Sequence, residues 1–235
     1  MSRRIGLYVI ASLGLLVGPA AGTGRGGEFY YVLIFGSQSS PKILRYTHTW
    51  ATLVRAVGEG PDPRNYEIYA HTISWLPETL ELRVWRPWPE PGVNLDLYQT
   101  LDVVYSNRER VTMWGPLLIE KKIYDRSLWV LQIIASGAPQ YRAISFPGNL
   151  LISDCIHAVA AVDPDLGREH YPLIRIGKPA SRFIARQIVT RSPFDQAAYD
   201  NSWLIPRLGL DRYPIEIVPP QRIPRRNCVL CRCPE

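Results

Sequence analysis

The sequence predicts an α+β fold, a mainly antiparallel sheet packed against helices. Strand-like segments crowd the first half of the chain, whereas helical spacing is clearest from Pro116 onward. Hydrophobic content of 46% with 20% charged residues is that of a globular chain with a sizeable core.

Residues 28–35 (EFYYVLIF) are aromatic and β-branched and read as a strand ending at Gly36, with a turn through Pro41. Residues 43–57 contain HTWATLV, which suits a strand, with a helix as the alternative. Glycines and prolines make residues 58–65 a loop. Residues 66–76 (YEIYAHTISWL) read as a strand stopped by Pro77, and 80–86 (LELRVWR) alternate like a half-buried strand. Residues 87–92 are a proline-rich surface loop, followed by a polar stretch to about Arg108. Arg110 to Trp114 form one more short strand. Pro116 opens a long helix reaching Ser136, with Leu118, Ile119, Ile123, Leu128, Leu131 and Ile134 at helical spacing and Gly137 as its cap. Residues 141–146 read as a strand and 147–149 as a turn. An apolar helix then starts behind Ser153 or Asp154 and stops at Asp163-Pro164. Residues 181–191 form a basic amphipathic helix with Phe183, Ile184, Ile188 and Val189 on one side and a solvated basic face on the other.

The division of the chain follows from its ends. Arg3 and Arg4, an apolar run from Ile5 to Val17 and the small residues Ala20-Ala21-Gly22 form the pattern of a signal peptide over 1–22. That run is too short for a membrane span and no second span follows, so the expected location is secreted, periplasmic or cell-envelope. Residues 23–218 make one globular domain, and 219–235 a Pro/Arg/Cys-rich tail. The formal charge of +6 drops to +4 without the two leader arginines, a modest surplus that favours acidic envelope polymers or anionic lipids. Scattered basic residues without a zinc finger, P-loop or basic helix argue against nucleic acid. No cofactor motif is present.

Cys155 stands apart from the other three cysteines, at the start of the helix in NLLISDCIHAVAAV. A helix N-terminus favours a thiolate, although many cysteines are simply buried small hydrophobes. A nucleophilic thiol needs a base and an orienting group. His157, two positions along the helix, points away from Cys155, and His170 lies in a charged loop. His48 and His71 remain, each in a strand-like segment and joined by a loop.

Taken in order, His48 (YTHTWATLV), His71 (YEIYAHTISWL) and Cys155 (ISDCIHAV) make the chain resemble the papain-like cysteine hydrolases. The likeness is to permuted members, NlpC-type and lecithin–retinol acyltransferase-like, whose histidine strand precedes the cysteine helix. The resemblance covers roughly residues 30–163 and rests on order and local context. It implies a papain-like fold in permuted order, with Cys155 as nucleophile, His48 as general base and His71 as orienter. The Cys155 backbone N–H and Gln38 are the oxyanion-hole candidates. The implied activity is a secreted thiol-dependent hydrolase or acyltransferase acting on an amide or ester bond of a peptide, cell-wall or lipid-type substrate. Two features depart from the pattern: Asp154 puts a carboxylate beside the thiol, and the 58–65 loop lengthens the interval between the histidines.

Cys228, Cys231 and Cys233 form a compact C-x-x-C-x-C. In an exported chain disulfides are the ordinary outcome; a soft metal held by these thiolates is the alternative, and no fourth ligand stands nearby. The competing functional reading is a non-catalytic secreted or envelope binding module on a degenerate form of the same fold, using its aromatic and basic surface.

Overall fold

The computed structural model describes residues 26–146, 148–166 and 176–224. The expected signal peptide over 1–22, His170 and the three tail cysteines lie outside these residues. The fold is α+β, as the sequence predicts. Its centre is a five-stranded sheet in the order β3-β2-β1-β6-β9, formed by β1 (Gly27–Gln38), β2 (Thr47–Gly58), β3 (Glu67–Ile73), β6 (Arg110–Ile119) and β9 (Glu216–Val218). Every pairing is antiparallel except β6 with β9. A smaller sheet, β4-β5-β7-β8, comprises β4 (Trp75–Pro77), β5 (Glu90–Asn94), β7 (Gln140–Tyr141) and β8 (Ile152–Ser153).

Both faces of the large sheet are covered, which is why EFYYVLIF is continuously apolar instead of alternating. Tyr30, Val32 and Ile34 of β1 with Ala51 and Leu53 of β2 face α2 (Lys121–Ala135), α3 (Cys155–Ala160) and α4 (Lys178–Arg191). Tyr31, Leu33 and Phe35 with Trp50 and Val54 face α1 (Leu97–Ser106) and α5 (Leu204–Arg207). Helix α4 lies so close to β1 that a Cβ on Gly36 would sit 2.5 Å from Ser181 Oγ and 2.9 Å from the Lys178 backbone. Glycine permits that approach. No helix among the described residues is long and apolar enough to cross a membrane.

The surface loop expected over 87–92 ends early, since the buried Glu90 already opens β5, and four further segments differ from the sequence reading. Residues 80–86 are a loop. Leu80 takes a positive φ of 57° and its N–H closes a turn onto Pro77, so the alternation never meets a partner strand. Pro116 lies inside β6 instead of opening a helix. Gly115 (φ 114°) and a register shift between Val32 and Ile34 accommodate it, and the apolar Leu117-Leu118-Ile119 continues the buried strand. Helix α2 starts only at Lys121 and turns Tyr124, Ser127, Val130 and Ile134 inward, leaving Leu128 exposed. It ends where expected, at Gly137 (φ 74°). Residues 97–106, read as merely polar, form α1 behind a complete capping box of Asp96 and Gln99. Of 141–146, only Tyr141 is in a strand.

The face shared with α1 also buries a carboxyl group. Glu109, 5% exposed, accepts from Ser37 Oγ at 2.5 Å and from Asn107 Nδ2 at 3.3 Å. Burial raises its pKa from 4.5 to about 7, against the lowering effect of those two hydrogen bonds. The folded state therefore holds this proton more tightly than the unfolded chain does. The cost of ionising Glu109 builds as pH rises from about 4.5 and is complete above about 7. We expect Glu109→Gln to be more stable than wild type by on the order of 2–3 kcal/mol at pH 8, with the gap closing by pH 4.5. Urea titrations at both pH values check this; a pH-independent difference would contradict it.

Candidate functional site

Cys155 opens α3, as expected, and Asp154 is the cap. Asp154 Oδ1 accepts from the backbone N–H groups of Ile156 and His157, both at 2.9 Å. Its Oδ2 accepts from Ser145 Oγ at 2.7 Å and Ser145 N at 3.2 Å, and lies 2.8 Å from His157 Nδ1. Burial alone would raise the pKa of Asp154, but the hydrogen bonds from His157 and Ser145 and the His157 charge bring it below the usual carboxylate value. Serine, histidine and aspartate meet here, yet Ser145 Oγ (3.0 Å) and Asp154 both engage Nδ1. A nucleophile–base–orienter relay needs serine and carboxylate on different ring nitrogens. This trio braces the cap and the loop before it.

The thiol itself is buried and free. Backbone N–H groups of Thr49, Cys155 and Ile156 point at the sulfur and favour its thiolate. Burial and the Asp154 charge outweigh them and push its pKa up to about 12. Tyr141, fully enclosed nearby, is likewise held neutral by burial.

The expected thiol–imidazole pair does not form. The sulfur sits against the β2 backbone at Thr49, whose hydroxyl faces α4 by accepting from Ser181 Oγ at 3.0 Å. His48 is the adjacent residue, so its side chain enters the opposite layer. There it stacks on Trp50 (5.4 Å) and its Nε2 lies 2.9 Å from Ser74 Oγ. Burial lowers its pKa to about 3, and its Nδ1 is enclosed without a hydrogen-bond partner. His71 is on the sulfur's face, but it pairs with Leu53, four positions along β2 from Thr49 or about 13 Å. Its Nε2 is 2.7 Å from Ser127 Oγ, and that hydroxyl donates to the Tyr124 carbonyl at 2.6 Å. Nε2 must therefore carry the proton and donate. Burial brings the His71 pKa down to about 4.

Gln38 lies elsewhere, in a groove of about 670 Å³ between α4, the β6–β9 edge and the turn Pro220–Arg222. Four cations line this groove: Lys178, Arg182 and Arg186, one turn apart on α4, and Arg222. Its one carboxylate, Glu216, accepts from Thr112 Oγ1 at 2.7 Å and from Lys178 Nζ at 3.3 Å, which together lower its pKa. Arg182, Arg186 and Arg222 make no side-chain ion pair among the described residues. Trp114, Phe183 and Val218 supply apolar wall. The basic face of α4 is visible in sequence as the i, i+4, i+8 series, but reads there as a solvated surface. The strand β9 that turns it into a groove is three residues long and carries no signal of its own.

Two outcomes follow. A maleimide should label Cys155 at least about tenfold more slowly in the native protein at pH 7.5 than in urea, by peptide-resolved mass spectrometry. Rapid native labelling would show an accessible thiolate. Asp154→Ala should cost about 2–4 kcal/mol in denaturant unfolding, since it orphans the cap N–H groups together with Ser145 and His157.

No family model matches the chain, and no curated protein or solved structure matches it either.

Proposed function

We propose that this chain is a non-catalytic, exported binding module, on a degenerate form of the permuted papain-like arrangement, and that its groove beside α4 takes an anionic polymer. The observation that carries this reading is the convergence of Lys178, Arg182, Arg186 and Arg222 on one groove holding a single carboxylate. Guanidinium groups that make no ion pair among the described residues keep their capacity to bind carboxylate, sulfate or phosphate oxygens, often two at a time. The cations on α4 span eight residues, about 12 Å, which suits an extended polyanion better than one small ion. Trp114 and Phe183 add apolar contact beside that track. The thiol-hydrolase reading gains no support from Cys155, whose sulfur is buried, protonated and faced by neither His48 nor His71.

The test is retention of the full chain on immobilised dextran sulfate against uncharged dextran. We expect retention on the sulfated polymer alone, weakening as salt rises. The double variant Arg182→Ala/Arg186→Ala should weaken it at least about tenfold, whereas Lys122→Ala, on an exposed side chain away from the groove, should change it little. Equal retention of the double variant and wild type would overturn the assignment of the site.

A further inference from the structure

Residues 78–89, which leave β4 and return in β5, carry Trp85 and Trp88 with 85% and 72% of their surface exposed. These are the most exposed large hydrophobic side chains among the described residues. Their loop is nonetheless fixed. Glu78 N–H bonds the Pro91 carbonyl, Leu80 N–H bonds Pro77 and Arg86 N–H bonds Arg83. Arg86 also pairs with the buried Glu90 at 3.1 Å, and Leu82 packs against the core. Two indoles held outward on an anchored loop form a preorganised platform, which loses little entropy when something covers it.

Beside the platform is a cavity of about 690 Å³ walled by Trp85, the turn Leu44–Tyr46 and Asn107. Its lining mixes apolar side chains such as Ile43 and Val84 with planar polar ones: Arg45, Glu81, Arg83, Arg86 and Asn107. The lining carries three guanidinium groups (Arg45, Arg83, Arg86) and one carboxylate, Glu81, but two of the three arginines are neutralised by ion pairs and Arg45 lies over the Tyr46 ring. Arg83 pairs with Glu81 at 3.1 Å, as Arg86 does with Glu90.

From this surface we infer that the loop binds a neutral glycan, at a site separate from the basic groove. A pyranose ring offers C–H faces to an indole and hydroxyl edges to amide, carboxylate and guanidinium groups, so it uses both halves of this lining. With Arg83 and Arg86 each paired to a carboxylate, little free charge is left at the cavity, which matches an uncharged polyol. An anionic bilayer would demand a surplus of cations and would repel Glu78 and Glu81. The site does not depend on the polyanion groove, so either assignment can fail alone.

The experiment titrates the full chain with the hexasaccharides of β-1,4-glucose, β-1,4-N-acetylglucosamine and α-1,4-glucose, following tryptophan fluorescence and calorimetric heat. At least one should bind. Trp85→Ala and Trp88→Ala should each weaken that binding about tenfold or more without lowering Tm, because neither indole is in the core, and both should leave dextran sulfate retention unchanged. Absence of binding by all three sugars, or equal binding by both tryptophan variants, overturns the inference. So does loss of binding to phosphatidylserine vesicles in Trp85→Ala when no sugar binds, which would reassign the loop to a membrane surface.

Discussion

Strand β2 runs through the middle of the molecule with packed layers on both sides, and its side chains must enter those layers alternately. Thr49, Ala51 and Leu53 go to the layer of α2, α3 and α4; His48, Trp50 and Val54 go to the layer of α1. The registers of β1 and β3 on β2 lock this parity, because a slip of one residue would exchange every side chain between two apolar layers that differ in shape. The position of each candidate group follows from it. A sulfur resting on the Thr49 backbone cannot meet the imidazole of residue 48 without moving a central strand.

Burial then settles the chemical state of the interior. His48, His71 and Tyr141 are all held neutral, and Cys155 is kept as the thiol. Asp154, by contrast, keeps its charge while buried, because backbone N–H groups, the Ser145 hydroxyl and the His157 ring converge on its two oxygens. That charge works against the neighbouring thiolate, so the contact that secures α3 also quiets its cysteine. Groups that stay charged and accessible are found at the rim, where α4 meets the sheet edge.

The legible part of the sequence is the part with strong local signals. The strands β1 and β2 were readable from apolar and β-branched density, the end of α2 from Gly137, and the cap of α3 from Asp154. The Asp96–Gln99 capping box was readable as well, and a polar composition hid it. The boundary at Pro116 was not, since a proline after a short apolar run looks like a helix start until β1 supplies a partner strand for Leu117 to Ile119. Residues 80–86 show the converse, a strand-like alternation that finds no edge to join. The candidate site was misplaced for the same reason: the order histidine, histidine, cysteine is a property of one dimension, whereas facing is a matter of parity and register. The groove was invisible because its far wall lies some 30 residues beyond α4.

The two surface sites differ in how their cations are used. In the tryptophan loop Arg83 and Arg86 are each paired with a carboxylate nearby, which fixes the backbone and weakens the local field. In the groove Lys178 is the one cation with an ion pair among the described residues, and Glu216 divides its carboxylate between that ammonium and Thr112. Positioning Arg182 and Arg186 requires no such pairs, because α4 is held from its other side by Ser181 against Thr49 and by Ala180, Ile184 and Ile188 in the core. A helix whose inward face does the anchoring can leave its outward cations unneutralised. Three cations at one-turn spacing repel one another, a cost that falls when an anion lies along them. The same covered sheet that separates Cys155 from His48 thus gives α4 the firm seat on which a charged track can stand.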